Sequence, residues 1–161
     1  LDRSSAASDV YKRQVYTPEG VHISGRPTRR STELVLVDSR IVAKAPARLF
    51  SAGIGDALAT WYEAKACFEA TAPNCLGVMS TRAAMALSRE CHEILMQDGL
   101  AALQAVKAGV VTPAVENVIE ANILLSGLGL INGGLAGSHG FHNGLSARRS
   151  RGIRPHLRAS A

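Results

Sequence analysis

From Asp56 to Leu145 this 161-residue chain keeps a helical rhythm while offering almost no aromatic side chains to fill a core. That combination constrains the fold more than any other feature. Aromatic residues make up 4% of the chain and hydrophobic residues 47%, so the core must be aliphatic and alanine-built. In "DALATWYEAKACFEA", Leu58, Trp61, Tyr62 and Ala66 recur at roughly 3.6 residues, the period of one buried stripe. "TRAAMALSRECHEILMQDG" predicts a second helix with Met85, Leu87, Ile94 and Leu95 inward and Gly99 as its stop. A shorter helix, "LAALQAVKAG", also closes on glycine. "TPAVENVIEANILLSG" opens Thr-Pro, a good helix start, and offers Val115, Val118, Ile119, Ile123 and Leu124 for burial. "GGLAGSHGFHNGL" begins a last helix weakened by its glycines.

Before Asp56 the signals are of a different kind. "VYTPEGVHI" places a Pro-Glu-Gly turn between two β-capable runs and predicts a hairpin, and "GRPTRRSTE" reads as a polar loop. "ELVLVD" is a continuous apolar run of strand length, the pattern of a strand buried on both faces of a parallel sheet. "SRIVAKAPARLFSAG" then crosses a proline and ends in a glycine-flanked turn, which puts Asp56 at or near a helix start. The fold class expected is therefore an α/β tail followed by a mostly α-helical domain. Residues 15–52 form the α/β part and 53–145 the helical part. Residues 1–14 are polar and aperiodic, resemble a tail of non-native origin, and are expected outside the fold. Residues 146–161 read as a basic tail, frame-shifted or disordered.

No apolar run approaches the roughly 18 residues that span a bilayer, because "ANILLSGLGLINGGLAG" is broken by glycine and asparagine. The first residues lack a basic-then-apolar signal pattern. Both point to a cytoplasmic protein without membrane partners. Cys67, Cys75 and Cys91 form neither a CxxC pair nor an even set, which favours reduced thiols in packing roles. The net charge of +5 is concentrated at Arg148, Arg149, Arg151, Arg154 and Arg158. A terminal arginine run without interleaved aromatics argues against a nucleic-acid face.

Taken singly, the chemistry-bearing residues are ordinary. Asp56 suits a helix N-terminus, where a carboxylate meets unsatisfied N–H groups and the positive dipole end. His139 and His142 stand three apart and share a helix face. His22 and His92 carry no pattern. Together, a carboxylate and an imidazole from distant segments, each bordered by small residues, are a normal N/O ligand set for a divalent metal.

"VYTPEG", "LVLVDSRIVAKAPARLFSAGIGDALATWYEAKAC", "TPAVENVIEANILLSGLG" and "GGLAGSHGFHNGL" closely resemble the glycerol dehydrogenase family of the iron-containing alcohol dehydrogenase superfamily. The likeness runs from Val15 to Leu145. It implies part of a dehydroquinate-synthase-like fold, in which a metal sits between an NAD-binding α/β domain and a helical domain. The family's aspartate ligand falls on Asp56 and its first histidine ligand on His139. Tyr16 matches a tyrosine that contacts the dinucleotide. Iron-dependent relatives carry a further histidine one turn after the aspartate; here that position is Thr60, as in the zinc-using branch. Zinc is thus the expected metal, with iron as the other choice. The family's second histidine ligand lies in a His-Gly-Glu context. At the corresponding distance stands His156, in "IRPHLRA", where no Gly-Glu follows. The glycine-rich dinucleotide loop has no counterpart in the matched segments.

The activity implied is NAD-dependent oxidation of glycerol to dihydroxyacetone, in a homo-oligomer, by the intact enzyme; this chain alone is expected to be inactive. The alternatives are another polyol or a glycerol phosphate as substrate, or a non-catalytic helical module.

Overall fold

The computed structural model describes residues 12–16, 22–27 and 34–149. Two strands, β1 (Lys12–Tyr16) and β2 (His22–Pro27), pair antiparallel from Lys12 opposite Pro27 to Tyr16 opposite His22. The register slips between Val15 and Tyr16. The pairing begins three residues earlier than expected, since Lys12, Arg13 and Gln14 join the ladder.

Helices make up nearly all the rest. A short α1 (Ser39–Ala43) is capped by Asp38, whose carboxylate accepts the Arg40 N–H at 2.9 Å. Four longer segments follow: α2 (Ala47–Glu69), α3 (Arg82–Lys107), α4 (Pro113–Glu120) and α5 (Ser126–Gly133). A π-helical turn (Ala121–Leu125) joins α4 to α5, and α6 (Gly137–Arg149) closes the described chain. Thr81 caps α3 through the Ala84 N–H, and Thr112 caps α4 through the Val115 N–H ahead of Pro113.

The contacts fix the directions. Tyr62 meets His92, Ala57 meets Cys91 and Ile54 lies by Gly99, so α2 and α3 are antiparallel. Along α2, Gly53 faces Asn122, Thr60 bonds Ser126 and Ala64 lies on Gly133, so the α4–α5 rod runs parallel to α2. Small residues make this closeness possible. A Cβ on Gly129 would stand 2.7 Å from both Ser88 Oγ and Thr60 Cγ2, and one on Gly133 would stand 2.6 Å from Ala64 Cβ.

Four expectations are corrected. "ELVLVD" forms no strand: residues 34–38 are irregular, with Leu36 89% exposed. A buried parallel strand needs flanking strands to satisfy its backbone, and none lies beside it among the described residues. Gly99 does not stop a helix; α3 runs through it, because Gly99 is buried where α3 crosses Ile54. The turn comes instead at Gly109, with φ +68°. Third, Asp56 is not at a helix start, since α2 begins directly after Pro46 and passes through Gly53 and Gly55. Finally, the stripe of Leu58, Trp61, Tyr62 and Ala66 is not the buried face. Tyr62 is 60% exposed, and the inward residues are Phe50, Ala57, Thr60, Glu63, Ala64 and Cys67.

The rod from Pro113 to Gly133 is 21 residues and apolar enough, by length and composition, to cross a membrane. Half of that stretch is buried against its neighbours, as in the core helix of a bundle.

Candidate metal centre

The turn after α5 decides where His139 goes. Gly134 takes φ +106°, a conformation L side chains rarely adopt, and a Cβ there would meet Cys67 Sγ at 2.8 Å. The Cys67 thiol donates to the Leu135 carbonyl at 3.2 Å, tying the turn to α2. Asn74, from the loop between α2 and α3, donates to the Asn132 carbonyl at 3.0 Å. The chain therefore reverses directly over the second half of α2, and α6 starts there.

What α6 meets is Glu63. One oxygen, Oε1, accepts the Ala136 N–H at 3.1 Å and the His139 N–H at 3.0 Å. The other, Oε2, lies 2.5 Å from His139 Nδ1. Glu63 is 3% exposed, so this is a buried carboxylate with three convergent partners. It does for α6 what a local N-cap side chain would do, supplying acceptors and negative charge at the positive end of the helix. Burial pushes the Glu63 carboxyl up, but the hydrogen bonds and charge from His139, with the Ala136 N–H, outweigh it and leave the group below the ordinary glutamate range.

Asp56 lies seven residues before Glu63, hence on the same face of α2, roughly 10 Å away along the axis at ~1.5 Å per residue. It is exposed. Thr60 stands between them, buried, its hydroxyl 2.9 Å from Ser126 Oγ. That position is occupied by a helix–helix tie. His142 is exposed on α6, and His92 is 3.2 Å from the Tyr62 hydroxyl. Tyr16 is the last residue of β1, and His156 lies outside the described residues.

The structure thus seats His139 on α2 but joins it to Glu63, a residue the sequence reading passed over, and not to Asp56. Among the described residues no group of three or more His, Cys, Asp or Glu side chains is gathered for a metal. Two features of the donor chemistry nonetheless fit one. An imidazole whose Nδ1 is held by a buried carboxylate is how metal-ligating histidines are commonly supported. An exposed carboxylate shares the helix face. A signal for Glu63 existed: a glutamate two turns beyond Asp56, on the face that carries Thr60.

No family model matches the chain. The chain is 50% identical over 132 residues to a glycerol dehydrogenase of Thermotoga maritima, covering 82% of this chain and 36% of that protein. It is 50% identical over 114 residues to a glycolaldehyde reductase of Halobacterium salinarum, covering 71% and 31%. The crystal structure of a probable glycerol dehydrogenase from Sinorhizobium meliloti 1021 superposes with a TM-score of 0.83 at 45% identity, covering 89% of this chain and 41% of that one. The chain spans about a third of the length of the curated relatives it matches.

Proposed function

We propose that this chain, a homologue of glycerol dehydrogenases over most of its length, is the metal-holding segment of an enzyme that oxidises glycerol to dihydroxyacetone with NAD. The observation that carries the reading is 50% identity over 132 residues, joined to the placement of His139 on the buried Glu63.

In this reading Asp56 and His139 are two of the ligands of a divalent metal, and Tyr16 lies toward the dinucleotide. Zinc is favoured over iron, because Thr60 is committed to Ser126 and adds no donor. A metal held by these residues would supply Lewis acidity toward a substrate hydroxyl. The chain's own residues hold and orient. Helix α2 carries Asp56 on a rod whose inner face is locked by Ala57, Thr60 and Ala64. The Gly134 turn and Glu63 fix the first turn of α6, and with it the His139 ring. No side chain of this segment need serve as general base. The remaining donor and the dinucleotide loop belong to segments outside the described residues. The enzyme acts as a homo-oligomer in the cytoplasm, where three thiols with no disulfide between them are at home.

A second reading has its own support. Identity of 50% to a glycolaldehyde reductase points to the same alcohol–carbonyl interconversion on a two-carbon substrate. Both readings are tested by replacing the matching segment of the Thermotoga maritima glycerol dehydrogenase with residues 15–145. The hybrid is expected to reduce NAD with glycerol, and Asp56→Ala or His139→Ala to abolish that. Activity confined to glycolaldehyde reduction favours the second reading. A folded hybrid inactive on both overturns the assignment.

A further inference from the structure

One side chain does three things at once at the start of α6, and the metal reading alone does not require it. Glu63 comes from α2, seventy-six residues before His139 in sequence, and is among the few charged side chains the bundle buries. Its Oε1 accepts two backbone N–H groups, those of Ala136 and His139, which fixes the position of the His139 Cα. Its Oε2 takes the ring at Nδ1, which fixes the rotation about the side-chain bonds. Histidines that hold a metal through one ring nitrogen ordinarily turn the other toward such a carboxylate, and here the nitrogen turned to Glu63 is Nδ1.

We propose that Glu63 is the positioning residue of the centre: it presents His139 to the metal through Nε2 by clamping both its backbone N–H and its ring at Nδ1. The proposal rests on the metal reading above and adds the route by which α2 contributes twice, through Asp56 as a ligand and through Glu63 as the support of the other ligand. In this reading Glu63 is the support and not a ligand, since both its oxygens are turned to α6. Its neighbours are consistent with that role. Cys67, one turn further along α2, holds the same turn through the Leu135 carbonyl, and Gly134 admits that approach. The ring is thus seated from α2 on a turn that two other contacts already brace.

Glu63→Gln separates the two jobs. A glutamine keeps one carbonyl oxygen for the Ala136 and His139 N–H groups. It replaces the second acceptor with an NH2, which cannot accept Nδ1–H. The test uses the full chain labelled with 15N in histidine, read by imidazole NMR first without metal and then during titration with zinc. The wild type is expected to show His139 protonated at Nδ1, with its Nε2 signal moving as zinc is added. In Glu63→Gln the helical content should persist, the proton should move to Nε2, and about 10–100-fold more zinc should be needed for the same shift. Asp56→Ala should weaken zinc binding while leaving the metal-free His139 spectrum unchanged. An unaltered tautomer and unaltered zinc response in Glu63→Gln overturn the proposal. A wild type with the Nδ1–H form but no response to zinc overturns the metal reading instead and leaves the clamp as a purely structural device. Should Glu63→Gln unfold, Glu63→Asp serves the same purpose. It retains a carboxylate acceptor, so the Nδ1–H form must survive while the shorter reach weakens zinc binding.

Discussion

At Gly134 a single hydrogen stands in the place of a side chain that the fold has no room for. Alanine there would strain the +106° φ and press against Cys67 Sγ, whose thiol holds the same turn. Gly134→Ala is expected to cost about 1–3 kcal/mol in urea unfolding. It should also release the first turn of α6 from Glu63, visible as faster amide exchange at His139. Cys91 makes a different kind of statement. It is fully buried where α2, α3 and the π-helical turn meet, near the carbonyls of Ala57 and Ala121. Burial pushes its thiol up to about 12 from the ordinary 9.0. A group whose folded value is raised contributes fully below its unfolded value and loses that contribution as pH climbs toward the folded one. Stability should therefore decline between about pH 9 and 12, and Cys91→Ala should flatten that decline in pH-dependent thermal melts. The same burial should leave Cys91 the slowest of the three thiols to alkylate in the native state. Asp56 and His139 could be picked out in the sequence as candidate ligands through the motifs around them. Glu63 could be placed on the face of Thr60 but not paired with His139, because that contact exists only once a turn has folded α6 back over α2.

The elements show why some boundaries could be read and others not. Thr81 and Thr112 cap their helices by local hydrogen bonds, so the starts of α3 and α4 are written within a few residues of sequence. The glycines misled, because their meaning depends on what lies opposite. Gly53 and Gly99 sit in helix interiors facing Asn122 and Ile54, while Gly109 and Gly134 turn the chain. The buried face of α2 was misread for a related reason. Trp61 and Tyr62 are the bulkier apolar residues, but the seam between α2, α3 and α5 is made of Ala57, Thr60, Ala64, Ser88 and Gly129, which allow close approach. Gly55 offers a clean check that α2 is continuous. A Cβ at that position meets nothing within 4 Å. Gly55→Ala should stabilise the chain by about 0.5–1 kcal/mol, read as a higher unfolding midpoint. Destabilisation would place a turn there, as the sequence pattern first implied.

For the whole molecule, the bundle buries a seam but leaves much apolar surface in water. Leu34, Leu36, Ile41, Met96, Leu100 and Phe141 are all prominently exposed. Isolated exposed residues are ordinary, but this many large ones leave the chain with apolar surface that favours association. The chain should bind a hydrophobic dye in its native state and self-associate at micromolar concentration in sedimentation, and Leu36→Ser with Leu100→Ser should reduce both. The helical class was legible, because periodicity survives without neighbours. The "ELVLVD" strand was not borne out among the described residues, because a parallel strand is a property of its sheet.

The central question for this chain is whether Asp56 and His139 hold one metal. The direct measurement is zinc content of the purified chain after loading with zinc and dialysis, for the wild type, Asp56→Ala and His139→Ala. The wild type is expected to retain zinc and either substitution to release it. Equal zinc in all three, or none in the wild type, would contradict this.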